Sequence, residues 1–226
     1  REKDTFLLEL LQDSYFIKNN LTRYQTYHDD NEGQTARQVV ATVNTNTDYA
    51  YYDYDLETDT NQDYLMLVNK YYHLDASYQP NDLVDISNQY YYGEGHQIRK
   101  IVYDAFIDMW NQAKNDGIYL IINSSYRTYE EQQSVYDGYK NSYGTTYADS
   151  IAARPGYSEH QTGLSLDIFS TEYTTTANFK GSPAYEWLVN NAYQYGFIQR
   201  YEEDTEELTG FSEEAWHWRY VGVEVA

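Results

Sequence analysis

The chain has 226 residues, enough for one large domain or one domain with a smaller appendage, and enough to bury a core without covalent staples. It contains no cysteine, which excludes disulfides and thiolate zinc sites. Its formal net charge of -21 argues against nucleic acid as a partner and against a basic membrane-surface helix, since both need clustered Lys and Arg.

The 29 tyrosines are an unusual number. Most are expected as half-buried rings with wet hydroxyls, and a minority as stacking surfaces for sugar rings. No apolar run approaches the roughly 20 residues that span a bilayer, so no membrane insertion is expected within this chain. The chain begins at Arg1 rather than Met, which reads as a mature or trimmed form that has lost a targeting segment.

In chain order, residues 6–17 place Phe6, Leu7, Leu10 and Leu11 at helical spacing, a short amphipathic helix docked on the protein's own core. Residues 18–63 are polar. Within them Arg37–Val43 fits a helix or a strand, and Tyr49–Glu57 reads as irregular. The acids here lack EF-hand spacing and read as a solvated surface rather than a calcium site. Leu65–Lys70 is a short buried-strand or extended candidate, and Pro80 sets an extended turn. Ile98, Ile101, Val102, Ala105, Phe106, Met109 and Ala113 then mark one face of a long helix stopping at Gly117. Ile118–Ile122 reads as a buried strand. Thr128 and Glu131 form a capping box for a helix from Tyr129 to about Lys140, which puts Arg127 at a strand-to-helix junction bordering a cleft.

Gly144–Arg154 is expected as a loop. Leu164–Ile168 alternates, so the leucines face the core while Ser165 and Asp167 face the cleft. Ser182 and Pro183 start a helix through Tyr195, closed by Gly196. Phe197–Arg200 reads as a strand and Glu202–Glu207 as an exposed acidic loop. Residues 216–221 alternate, with Trp216, Trp218 and Tyr220 on one face and His217 on the other.

The stretch Pro155–Ile168 holds His160 and, seven positions on, Asp167; near the end, Glu214 precedes His217 by three. His160, Asp167 and His217 can be read as three ligands of one catalytic zinc with a fourth position open, leaving Glu214 free as a base. By spacing alone the signal is weak, since a histidine near a tight turn is more often a hydrogen-bonded structural residue. Glu159 and Arg154 read as an ion pair supporting the loop. His28, His73 and His96 fall in no pattern.

Residues 158–167 (SEHQTGLSLD), 214–222 (EAWHWRYVG) and 125–132 (SYRTYEEQ) together resemble the VanY-type zinc D-alanyl-D-alanine carboxypeptidases, the LAS-type metallopeptidases. The likeness runs from about residue 65 to 222 and includes LVNKYYHL; two departures, Thr128 for a common Ser and Ala215 for a common Pro, remove no ligand. The resemblance implies an α+β fold, a small antiparallel sheet flanked by helices with a zinc cleft over residues 84–226. Residues 1–83 would be a mainly helical or irregular extension wrapping that domain. It implies Zn2+ on His160, Asp167 and His217, Glu214 as catalytic base, Arg127 at the substrate or its oxyanion, and Ser158 and Gln132 lining the peptide site. The implied substrate is the peptidoglycan stem peptide, cleaved at its C-terminal D-alanine on the extracellular face of a bacterium, by an enzyme associated with the wall and tethered by a segment outside this chain. Two rivals stand beside this: an L,D-carboxypeptidase trimming tetrapeptide stems, and a non-catalytic wall-binding module on the same fold.

Overall fold

The computed structural model describes residues 2–226, with side chains from Thr5 onward. Three helices open the chain: α1 (Glu2–Gln12), α2 (Leu21–Asp30) and α3 (Ala36–Asn44). Phe6 and Leu10 of α1, Tyr24 of α2, and Val39, Val40 and Val43 of α3 bury one another in a small core of their own. The structure settles Arg37–Val43 as helix. Thr35 caps it, its hydroxyl accepting from Gln38 N while the Gln38 side chain returns to the Thr35 amide. Helix α2 lies where the polar sequence gave no apolar stripe; it is held by Tyr24, whose ring is buried and whose hydroxyl donates to Asn44 Oδ1 at 2.6 Å.

The segment that follows is mostly turns, with two short strands, β1 (Leu56–Glu57) and β2 (Tyr72–His73), paired in parallel. Leu65 closes a 3₁₀ turn (Thr60–Leu65) and residues 66–70 form no strand, yet Met66, Val68 and Leu74 are built into the main core. The extension expected over residues 1–83 is thus packed in two ways: a separate helical cluster first, then a segment that shares the core of the rest.

Lys70 anchors that segment. Its side chain is buried, and Nζ donates to the carbonyls of Asp149 and Gly210, with the Phe211 ring 4.2 Å away. Burial lowers its pKa to about 8. The unfolded chain therefore holds this proton between pH 8 and 10.5 while the folded chain releases it, so stability rises with pH across that window. Denaturant titrations at pH 8 and pH 10 should show the parent gaining about 1–2 kcal/mol relative to Lys70→Met. Equal slopes for the two proteins would contradict a depressed Lys70.

Strands β3 (Leu83–Asp85) and β4 (Gln97–Arg99) form an antiparallel pair leading into α4 (Lys100–Asn115). Ile98 therefore belongs to a strand, and Ile101 is 37% exposed rather than on the buried face. Val102, Phe106, Met109 and Ala113 carry that face against the main sheet.

The main sheet is antiparallel with order β5-β6-β8-β7: β5 (Leu120–Ser124), β6 (Ser165–Ser170), β7 (Phe197–Tyr201) and β8 (Glu214–Tyr220). Between β5 and β6 run α5 (Tyr129–Tyr143) and α6 (Thr145–Ile151), so the expected Gly144–Arg154 loop is largely helix. Gly144, at φ +87, turns the chain sharply between them, and Ala148 of α6 packs against Tyr136 of α5. The expected capping box at Thr128 is present. Between β6 and β8 lie α7 (Thr176–Phe179), α8 (Pro183–Asn191, capped by Ser182) and α9 (Glu206–Thr209), the last within the acidic stretch read as loop. Helices pack around a small sheet, the expected α+β arrangement.

Candidate metal centre

Two adjacent strands bring the first two donors together. Leu166 and Ile168 of β6 point into the core, so Asp167 takes the opposite face. In the β6–β8 register Asp167 sits directly across from His217. Cross-strand neighbours on one face have Cβ atoms about 5 Å apart, which places His217 Nδ1 3.4 Å from Asp167 Oδ1.

His160 arrives from a 3₁₀ turn, Glu159–Thr162, that precedes β6. Ser158 caps this turn, its Oγ accepting from His160 N at 3.3 Å. Gly163 closes it at φ +65; a Cβ there would meet Arg99 Cγ at 2.9 Å. This tight exit sets the step from turn to strand, and His160 Nε2 comes 3.5 Å from Asp167 Oδ1. Donor atoms of His160, Asp167 and His217 all lie within 4.8 Å of one another, and all three residues are buried.

Each imidazole is oriented by a bond on its far side. His160 Nδ1 is 2.7 Å from the Ser125 carbonyl, which can only accept, so Nδ1 carries the proton and Nε2 presents its lone pair. His217 Nε2 is 3.1 Å from Glu159 Oε2, so its proton sits there and Nδ1 faces the cluster. Asp167 Oδ1 is buried with no hydrogen-bond partner. His160 Nε2, His217 Nδ1 and an orphaned carboxylate oxygen converge on one point. That donor set suits a tetrahedral zinc with one position left for water.

Charge points the same way. Burial would lower the His217 pKa, but the facing carboxylates of Asp167 and Glu159 push it up to about 10, so without a cation Nδ1 holds a proton as well, the one a metal would displace. Burial would raise the Asp167 pKa, but the neighbouring His160 and His217 hold it well below the usual carboxylate range. A dication held by these three residues would displace the second proton of His217 and pair with the Asp167 carboxylate. Glu214 Oε2 lies 3.5 Å from His217 Nδ1, and burial raises its pKa to about 7.

Arg127 leaves the end of β5 as expected. Its peptide N donates to His160 O at 3.2 Å, Nη1 to Gln132 Oε1 at 2.6 Å and Nη2 to Ser124 Oγ at 2.8 Å. Gln132 is buried, and its Nε2 donates to Ala153 O at 2.7 Å, so both ends of its amide have protein partners. All seven residues singled out in the sequence, His160, Asp167, His217, Glu214, Arg127, Ser158 and Gln132, line one cleft of about 260 Å³. Trp216 also lines it, 6.2 Å from Phe169 and nearly parallel to that ring.

Glu159 is the residue the sequence misassigned. Arg154 pairs instead with Asp149 at 2.8 Å. Glu159 pairs with Arg200 at 2.8 Å, Arg219 at 3.0 Å and His217 at 3.1 Å. Burial would raise its pKa, but Arg219 and Arg200 hold it below the usual carboxylate range.

Residues 95–223 match the family model described as D-alanyl-D-alanine carboxypeptidase, VanY. The chain belongs to the VanY family. A D-alanyl-D-alanine carboxypeptidase of Enterococcus faecalis is 40% identical over 171 residues, 72% of this chain and 60% of that relative. The LdcB LD-carboxypeptidase superposes with a TM-score of 0.69 at 37% identity, covering 75% of this chain and 81% of that one. A vancomycin-resistance D,D-pentapeptidase VanY, solved in complex with Zn(II), superposes with a TM-score of 0.59 at 38% identity, covering 70% and 88%. The chain spans only 60% to 65% of the length of the relatives with the longest matches. Asp167, Glu214 and His217 sit on the main antiparallel sheet and His160 on the turn before it, while the carbonyl of Ser125 and the carboxylate of Glu159 back the two imidazoles.

Proposed function

We propose that this protein is a zinc-dependent D,D-carboxypeptidase that removes the C-terminal D-alanine from peptidoglycan stem peptides. The observation that carries this is the pair of orienting bonds behind His160 and His217, which aim both free imidazole nitrogens at the orphaned Asp167 oxygen. Membership of the VanY family, a D-alanyl-D-alanine carboxypeptidase relative and a Zn(II)-bound neighbour support it.

In this reading His160 Nε2, His217 Nδ1 and Asp167 Oδ1 hold zinc. When bound, zinc lowers the pKa of a water towards roughly 7 and polarises the scissile carbonyl. Glu214 accepts the proton of the attacking water and passes it to the amine as the peptide C–N bond breaks. Arg127 donates to the oxyanion that develops at the carbonyl. Gln132 holds the guanidinium in place from behind. Ser158 borders the peptide and steadies the turn bearing His160. The residues from about 84 onward form the catalytic domain, and the part before them is an extension on it. Such a substrate lies outside the cytoplasmic membrane, so the protein acts at the extracellular face of the cell. None of the described helices is long and apolar enough to cross a membrane.

Synthetic pentapeptide and tetrapeptide stems, digested and weighed by mass spectrometry, test the assignment. The expected product is tetrapeptide plus D-alanine from the pentapeptide, lost with a chelator and restored by added zinc. Trimming of the tetrapeptide alone would make the protein an L,D-carboxypeptidase. Binding without turnover, unchanged by chelation, would make it a wall-binding module.

A further inference from the structure

One helix face leads out of the cleft and ends in exposed aromatic rings. Gln132, Val135 and Tyr139 of α5 line the cleft, and their spacing puts them on one side of the helix. Tyr143, the last residue of α5, lies one turn beyond Tyr139 on the same side. Tyr147 of α6 continues the row, its ring 4.9 Å from that of Tyr143. The three are 39%, 65% and 47% exposed. Neither Tyr143 nor Tyr147 has a hydroxyl hydrogen bond among the described residues.

The length of this row matches a piece of the substrate. From Gln132, which touches Arg127, to Tyr143 the helix rises about 16 Å at about 1.5 Å per residue. An extended peptide covers the same span in about four to five residues. A stem peptide that follows this helix face with its terminal bond beside Arg127 would reach Tyr143 and Tyr147 with its opposite end. That end is joined to sugar.

The chemistry at the end of the row fits sugar as well. A pyranose ring offers a face of C–H groups that packs on an aromatic ring, with hydroxyls at its edge for a phenol oxygen. Tyrosine has an apolar body and a polar tip, which satisfies both. An amino-sugar ring with acetylated nitrogen is uncharged, so the formal charge of -21 does not repel it as it would an anionic polymer.

We propose that Tyr139, Tyr143 and Tyr147 form a platform, continuous with the cleft, that seats the N-acetylated amino-sugar ring from which the stem peptide hangs. This rests on the stem-peptide reading above. The platform favours substrate still attached to the glycan over free peptide, and it does so through binding rather than chemistry.

The test compares the parent, a Tyr143→Ala/Tyr147→Ala variant and a Tyr143→Phe/Tyr147→Phe variant on two substrates. One is the free pentapeptide, and the other is the same pentapeptide carried on an amino-sugar disaccharide. The Ala variant should raise KM for the glycosylated substrate about tenfold, the worth of two aromatic contacts. Its kcat on both substrates and its KM for free peptide should stay at parental values. The Phe variant should keep most of the preference. An unchanged KM ratio in the Ala variant overturns the platform.

Calorimetric titration with an N-acetylglucosamine oligomer lacking any peptide separates this from the peptidase reading. Binding by the parent that is lost in the Ala variant supports the platform even if neither peptide is cleaved. No binding by the parent overturns it even if both are. Self-association of the parent that the Ala variant abolishes, without oligosaccharide binding, assigns the row to a contact between copies and overturns it too.

Discussion

Glu214→Gln should lower kcat by about 10²–10⁴-fold while zinc content and KM stay near parental values. The amide keeps the size of the side chain but cannot take a proton from water. Glu214 is not among the three converging donors, so its loss leaves the proposed metal ligands in place. Its carboxylate, raised to about 7 by burial, is basic enough to accept that proton and acidic enough to return it to the leaving amine.

The pH profile gives a second readout. The base works when deprotonated, so kcat/KM should rise with pH through the apparent pKa of Glu214. A dication beside it stabilises the carboxylate, so the acid limb should fall below pH 7 in the zinc-loaded enzyme. The residual activity of Glu214→Gln should lack that limb. Paired measurements of D-alanine release and metal content decide the matter. Parental turnover in a zinc-loaded Glu214→Gln protein would remove Glu214 as the base.

The sheet and the facing of Asp167 and His217 are legible because alternation carries geometric information. Leucines at 164 and 166 with an isoleucine at 168 force Asp167 to the other face, and the same logic in 216–221 isolates His217. Strand pairing then sets the two side by side, which neither segment reveals on its own. Ile98 was misread because an apolar strand residue just before a helix happens to fall in phase with its buried stripe. Helix α6 was missed because its seven residues are mostly polar, and its one fully buried side chain, Ala148, leaves no periodic signal. Helix α2 is hidden for the same reason, with Tyr24 its one buried residue.

Glu159 shows a different limit. A sequence suggests ion pairs between near neighbours, and Arg154 was the nearest cation. The real partners, Arg200 and Arg219, come from β7 and β8, which meet the turn only once the sheet has formed. Burial of the whole turn makes the desolvation of Glu159 costly, and the two arginines together offset it.

That burial makes Glu159 the most consequential residue outside the proposed ligand set. Glu159→Ala leaves the buried Arg219 and the neighbouring Arg200 without their carboxylate, which should cost about 3–5 kcal/mol of folding stability. It also removes the acceptor that keeps the His217 proton on Nε2. Zinc affinity should fall about 10–100-fold, the usual effect of deleting a group that orients a metal-binding histidine. Glu159→Gln separates the two losses. It fills the same volume, and its single oxygen can serve the arginines or the histidine but not both. If the oxygen serves the arginines, an N–H faces His217 Nε2, and the imidazole proton moves to Nδ1, where the lone pair for the metal had been. Glu159→Gln should then melt closer to the parent than the alanine variant does, yet bind zinc nearly as weakly. Competition with a chromogenic chelator measures the affinity, and thermal unfolding with and without zinc measures the rest. A glutamine variant that bound zinc as tightly as the parent would show that the His217 tautomer is set by something other than Glu159.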